Sequence, residues 1–192
     1  MPNLGLWLDP HEPQRGPEKV FISHAHADHL GAHREVILSA PTAKLMRARM
    51  GGQRQEHLLD FGAPREFSGS RSSYRLTLLP AGHILGSAMA FIEAGGQSLL
   101  YTGDFKLRRG LSAEPCQPRR ADVLIMETTY GRPHYRFPPA EAVLAGIIRF
   151  CHEALDNDET VLLLGYSATS ARPLAWRLRI VLGTQASSHP SL

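Results

Sequence analysis

Two cysteines, Cys116 and Cys151, are all that the chain contains, and they stand far apart with no Cys-x-x-Cys spacing. Neither a disulfide framework nor a thiolate zinc cluster is therefore expected to hold the fold. Long apolar runs are also missing, and none approaches the roughly 18 residues that a bilayer-crossing helix needs. No membrane span is expected. The first dozen residues include Asp9, His11 and Glu12 and lack a basic stretch followed by an apolar core. They do not read as a secretory signal, so a cytoplasmic location is the expectation. A strong excess of one charge is absent too, since the net charge of +3 tolerates a polyanionic partner without demanding one. Acidic residues are lacking only locally. From residue 160 to 192 there is no Asp or Glu, while Arg172, Arg177 and Arg179 accumulate and Pro173 interrupts any helix.

A chain of 192 residues has room for one α/β domain and little more. Short runs rich in Val, Ile and Leu, each closed by Gly, Pro, Asp or Ser, predict strands over 4–8, 20–23, 36–38, 76–79, 88–92, 99–101 and 123–126. Gly95 and Gly96 supply the positive φ angles of a tight hairpin between two of them. A helix is predicted over 42–50, with Thr42 as N-cap after Pro41. A second helix starts near Pro139, where Ala140, Val143, Leu144, Ile147, Ile148, Cys151 and Leu155 recur at helical spacing and define a buried stripe. Residues 161–164 read as an eighth strand. Strands that come first in pairs and only later alternate with helices favour a layered α/β sandwich.

Ten histidines are the compositional oddity, and their positions matter more than their number. His24, Ala25, His26, Ala27, Asp28 and His29 follow directly on the apolar run 20–23. At the end of a strand alternate side chains point the same way, so His24 and His26 can grip one cation while Asp28 and His29 reach another beside it. The bland alternative is a set of surface histidines in a polar loop. His83 and Asp104 each follow another predicted strand. Taken alone, His83 would be a satisfied turn histidine and Asp104 a turn-forming residue.

Together these residues resemble the metallo-β-lactamase superfamily. The His24 to His29 run, His83 and Asp104 look like its second, third and fourth motifs, and Asp9 at the end of the first strand looks like the first. The resemblance implies an αββα sandwich with two zinc ions: His24, His26 and His83 around one, Asp28 and His29 on the other, Asp104 bridging. Met126, Glu127, Thr128, Thr129, Tyr130 and Gly131 resemble the acidic motif opening the β-CASP segment of RNA and DNA processing nucleases; the bland alternative is that Glu127 simply begins a turn after a strand. Likeness to that branch implies in-line hydrolysis of a phosphodiester in RNA or single-stranded DNA. Asp28 and Glu127 would act in catalysis, and Asp9 would orient a ligand histidine or serve the turn it sits in. Lys106, Arg108 and Arg109, with Arg119 and Arg120, could track a phosphate backbone or form a solvated basic face.

The resemblance runs from about residue 4 to 167. Two later histidines of the nuclease branch have no counterpart, since only His134, His152 and His189 come after Glu127 and none has the expected setting. The expectation is an incomplete sandwich over 1–135, the start of a β-CASP-like segment over 136–167 and a divergent tail over 168–192, as a shortened gene or a shifted frame would give. Two other readings stand beside the nuclease. One is a thioesterase or glyoxalase-like hydrolase of the same fold; the other is an inactive metal-binding fragment, or a subunit pairing with itself or with a partner nuclease.

Overall fold

The computed structural model describes residues 1–163, which form two compact units, Met1–Tyr130 and a second beginning at Gly131. The first unit contains two sheets. β1 (Leu6–Leu8), β2 (Lys19–Phe21), β3 (Glu35–Leu38) and β4 (Gln55–Leu58) lie side by side in that order, all parallel. β5 (Pro64–Phe67), β6 (Tyr74–Pro80), β7 (Ala88–Ala94) and β8 (Gln97–Tyr101) are antiparallel neighbours, and β9 (Val123–Ile125) joins β8 in parallel.

The sheets meet through one apolar layer. Leu6, Phe21 and Ile37 from the first pack against Leu76, Leu78, Ala90 and Ile92 from the second, all essentially inaccessible to water. Side chains alternate along a strand, so Val20, Ile22, Val36 and Leu38 emerge on the other face, under Ala43 and Met46 of the helix α1 (Ala40–Arg49). Burial on both faces explains why the two central strands, β2 and β3, read as apolar runs. The outer face of the second sheet carries Leu79, Met89, Phe91 and Leu100, covered by Phe105, Cys116 and Ala121 from the segment after β8. This is a mixed α/β sandwich of two sheets with few helices, as the sequence implies.

All seven predicted strands of the first unit are present, with shifted ends. Residues 4–8 begin in a 3-10 turn (Pro2–Leu4) and become extended only from Leu6. The Gly95–Gly96 hairpin forms as expected, with φ of 58° and 77° and Ala94 paired to Gln97. β4 and β5 were not legible because Gln55–Leu58 and Pro64–Phe67 are edge strands, one closing each sheet, and polar side chains and an initial proline suit that position. Ser39, not Thr42, caps α1: its Oγ accepts from the Thr42 backbone N–H at 3.3 Å, and Pro41 fits the first turn, where no N–H is needed.

In the second unit α2 spans Ala140–Asp156. Its buried side is narrower than the periodicity suggests. Cys151 and Ala154 are buried and Leu144, Ile147 and Ile148 half-buried, while Val143 and Leu155 are exposed. Residues 161–163 belong to no strand, and Leu164 and the tail 168–192 lie outside the described residues. No helix among the described residues is long and apolar enough to cross a membrane.

The shared apolar layer makes a stability test direct. Leu78→Ala, at a fully buried position, should cost about 2–5 kcal/mol in urea unfolding. Leu58→Ala, on an edge strand and 44% exposed, should cost less than about 1 kcal/mol.

Candidate metal centre

In an open α/β sheet the loops beyond the carboxyl ends of the strands are free to build a site. Three strands deliver one here. β2 ends at Phe21, Ile22 and Ser23 stay buried, and His24 to His26 continue extended until a 3-10 turn, Ala27–His29, swings Asp28 and His29 aside. β6 ends at Pro80 and the next turn carries His83, while Asp104 stands three residues beyond the end of β8.

These ends converge. His26 Nδ1 lies 3.0 Å from His24 Nε2 and 3.2 Å from His83 Nε2. Asp104 Oδ2 lies 3.8 Å from His24 Nε2 and 3.5 Å from His83 Nε2. One ligand atom from each of the four residues falls within 4.8 Å of all the others. A tetrahedral ion with ligands at about 2.0–2.1 Å would hold its donors about 3.3 Å apart, so a divalent metal fits with little movement. Ser23 Oγ sits 2.9 Å from His24 Nδ1. If Nδ1–H donates to that hydroxyl, the His24 Nε2 lone pair faces its neighbours.

Burial, followed by the nearby His29, His83 and His26, lowers the His24 pKa to about 2. Burial also lowers His26 and His83, against a smaller upward pull from Asp104 on each and from Asp28 on His26. Neutral imidazoles are the form that binds metal.

Asp104 has a second face. Its Oδ1 is 3.6 Å from His29 Nε2, which is 3.7 Å from Asp28 Oδ2. One carboxylate thus stands between the three-imidazole set and the Asp28–His29 pair. Behind His29 is Asp9, whose carboxylate is almost fully buried. Asp9 Oδ1 accepts from the Ser23 N–H at 2.7 Å and Oδ2 from the Tyr101 hydroxyl at 3.0 Å. Oδ2 is also 3.1 Å from His29 Nδ1. The ring N–H is poorly aligned there, leaving Nδ1 without a formal hydrogen bond, but the charge attraction holds at that distance. Burial lowers His29, yet Asp9, Asp104 and Asp28 outweigh it and raise its pKa. Asp9 adopts a φ of 42°, rare for a residue with a side chain, at the end of β1.

Other predicted residues fall differently. Glu127 is outside the four-residue group; its Oε2 accepts from the Thr129 N–H at 2.8 Å, a turn role, although its charge is felt at His83. Lys106, Arg108 and Arg109 are exposed on the segment after Asp104. Arg119 is committed to packing, its guanidinium 4.9 Å from the Phe91 ring centroid. In the second unit the His134 ring lies against Tyr135 and His152 is exposed on α2. Sequence reasoning missed Ser23 and Tyr101. The Ser23 hydroxyl meets the adjacent His24 ring and the Tyr101 hydroxyl meets Asp9, far away in the chain, and only Tyr101's position closing a strand beside the Asp104 loop hinted at its role.

A two-sheet α/β sandwich with imidazoles and a shared carboxylate at its strand ends has the build of a metal-dependent hydrolase. Residues 8–145 match the metallo-beta-lactamase superfamily, and the chain belongs to it; its curated relatives include members of the β-CASP nucleic-acid-processing branch. A "Probable DNA ligase" of Opitutus terrae is 51% identical over 175 residues, covering 91% of this chain and 17% of that protein. An "RNase J-like protein" of Methanocaldococcus jannaschii is 28% identical over 177 residues, 80% of this chain and 41% of that one. The chain therefore spans less than half the length of either relative. A crystal structure of a protein of unknown function from Enterococcus faecalis V583 shares the fold, with a TM-score of 0.51, 16% identity and coverage of 84% of this chain and 49% of that one.

The depressed imidazole pKa values carry a pH signature. Between about pH 2 and the unfolded value of 6.5 the unfolded chain binds a proton at His24 that the folded one does not. Stability of the metal-free protein should rise with pH across that window and fall on acidification, with His26 and His83 adding to the trend and His29 opposing it. Urea midpoints at pH 5.0 and 7.5 measure this, and His24→Gln should flatten the difference.

Proposed function

We propose that the chain carries the two-zinc centre of a phosphodiesterase acting on RNA or single-stranded DNA. The observation behind this reading is the division of Asp104, with Oδ2 towards His24 and His83 and Oδ1 towards His29. His24, His26, His83 and Asp104 would hold one zinc; Asp28, His29 and the second Asp104 oxygen would hold the other. Bound there, the ions would supply an activated water and neutralise charge on the phosphoryl oxygens.

The chain's own groups do the remaining work. Asp28, with a side chain 67% exposed, offers an accessible oxygen to orient the attacking water. Asp9 fixes the tilt of His29 through its buried charge. Glu127, whose charge reaches His83, is our candidate for the proton of the leaving oxygen. Lys106, Arg108 and Arg109 supply positive charge beside the Asp104 loop for the sugar–phosphate backbone. The names of the two relatives, one for DNA ligation and one for RNase J, support a nucleic-acid substrate. By family likeness, residues 136–167 would begin a β-CASP-like segment.

A single-metal binding protein is the second reading, favoured by the looser spacing around His29 and the exposure of Asp28. Metal analysis of the purified chain, with cleavage assays on labelled RNA and single-stranded DNA and a thioester control, separates the two. The proposal expects two zinc ions per chain, cleavage of a nucleic acid but not the thioester, and a loss of about a thousandfold or more in His26→Ala. One ion without turnover supports the second reading. No bound metal overturns both.

A further inference from the structure

The turn that carries His83 is held at more points than its own sequence provides. Within the turn, Ser87 Oγ accepts from the backbone N–H groups of His83 and Ile84 at 3.1 and 3.2 Å, and the Ala81 N–H donates to the Ser87 carbonyl at 3.0 Å. His83 thus moves with Gly86 and Ser87. Gly86 is pinned from one side by α1, because the hydroxyls of Ser39 and Thr42 donate to its carbonyl oxygen at 2.6 and 2.9 Å. Its φ is +79°, and a Cβ there would meet Pro41 at 2.6 Å, so only glycine fits.

The other side of Gly86 is held by Glu114. Its Oε2 accepts from the Gly86 N–H at 2.9 Å, across 28 residues of sequence. Glu114 lies on the segment that leaves Asp104 and bends back around the same turn. The Lys106 N–H donates to the Ala81 carbonyl at 2.9 Å and the Gln117 N–H to the Pro80 carbonyl at 3.0 Å. One stretch of chain therefore begins at one metal-facing side chain and braces the loop bearing another. A carboxylate accepting a backbone N–H makes a charge-assisted bond, about twice as strong as a neutral one.

From this geometry we infer that Glu114 is a positioning residue for His83: by fixing Gly86 against α1, it sets the distance of the His83 imidazole from His26 and Asp104. The inference rests on the metal centre proposed above. Removing the carboxylate leaves the Gly86 N–H without its partner and Gly86 held only from the α1 side, with the Lys106 and Gln117 bonds bracing just the start of the turn, which lets His83 drift from its neighbours.

Titration of the full-length chain with Co(II) and Zn(II), in competition with a chelator, tests it alongside thermal unfolding. Glu114→Ala should weaken the tighter ion about 10- to 100-fold, the usual effect of losing a group that orients a ligand, and alter the Co(II) visible absorption band. Glu114→Gln retains an oxygen acceptor and should stay within about threefold of the parent. Should the alanine variant not fold, Glu114→Asp, one methylene short of Gly86, should show the same weakening. Parent-like affinity and absorption in the alanine variant, or in the aspartate variant used in its place, would overturn the inference. A parent chain that binds neither ion would instead overturn the metal centre itself.

Discussion

Phe21, Ile37, Leu76, Leu78 and Ile92 fill the layer between the two sheets, and the register of that layer decides where each strand stops. β2 lies in one sheet and β6 and β8 in the other, separated by β7, yet their ends open onto one place because these side chains lock the sheets face to face. A shift of one residue in β6 would send its apolar side chains to the opposite face and carry His83 away with them. The site therefore inherits its precision from a hydrophobic core that never touches it. A second tier of polar bonds, from Ser23, Tyr101, Ser39 and Thr42, fixes the last ångström.

The cluster burdens the fold when no metal is present. His24 is fully buried beside three other imidazoles, and an arrangement that suppresses protonation so strongly loses stability on acidification. Asp9 shows the opposite balance. Its buried charge is satisfied by a backbone N–H, a tyrosine hydroxyl and the nearby His29 ring. Charge of one sign is concentrated behind His29, and accessible carboxylate oxygens lie in front of it at Asp28 and Asp104. Negative charge on both sides of His29 suits a site that holds cations.

Much of this was written locally in the sequence. The apolar run ending at Ser23, with His24 and His26 two apart, announced a strand end with two imidazoles side by side, because both signals arise within a few residues. β4 and β5 escaped notice since edge strands need no apolar alternation, and the cap of α1 was misplaced by three residues because Pro41 hid the true start. Asp9, His83 and Asp104 were legible only together with the first motif and the family likeness. Tyr101 and Glu114 were not legible, because their partners are brought near only by the tertiary fold, and Ser23 read only as the end of its strand. Lys106, Arg108 and Arg109 are exposed as expected, but exposure is what any basic loop residue shows.

The central claim is that His24, His26, His83 and Asp104 surround one ion. X-ray absorption at the zinc edge, on protein loaded with a single equivalent of zinc, examines that shell directly. Scattering from three imidazole rings and one carboxylate oxygen is expected, with one ring's contribution lost in His83→Ala. A shell with one imidazole or none, or one unaltered by that substitution, would contradict it.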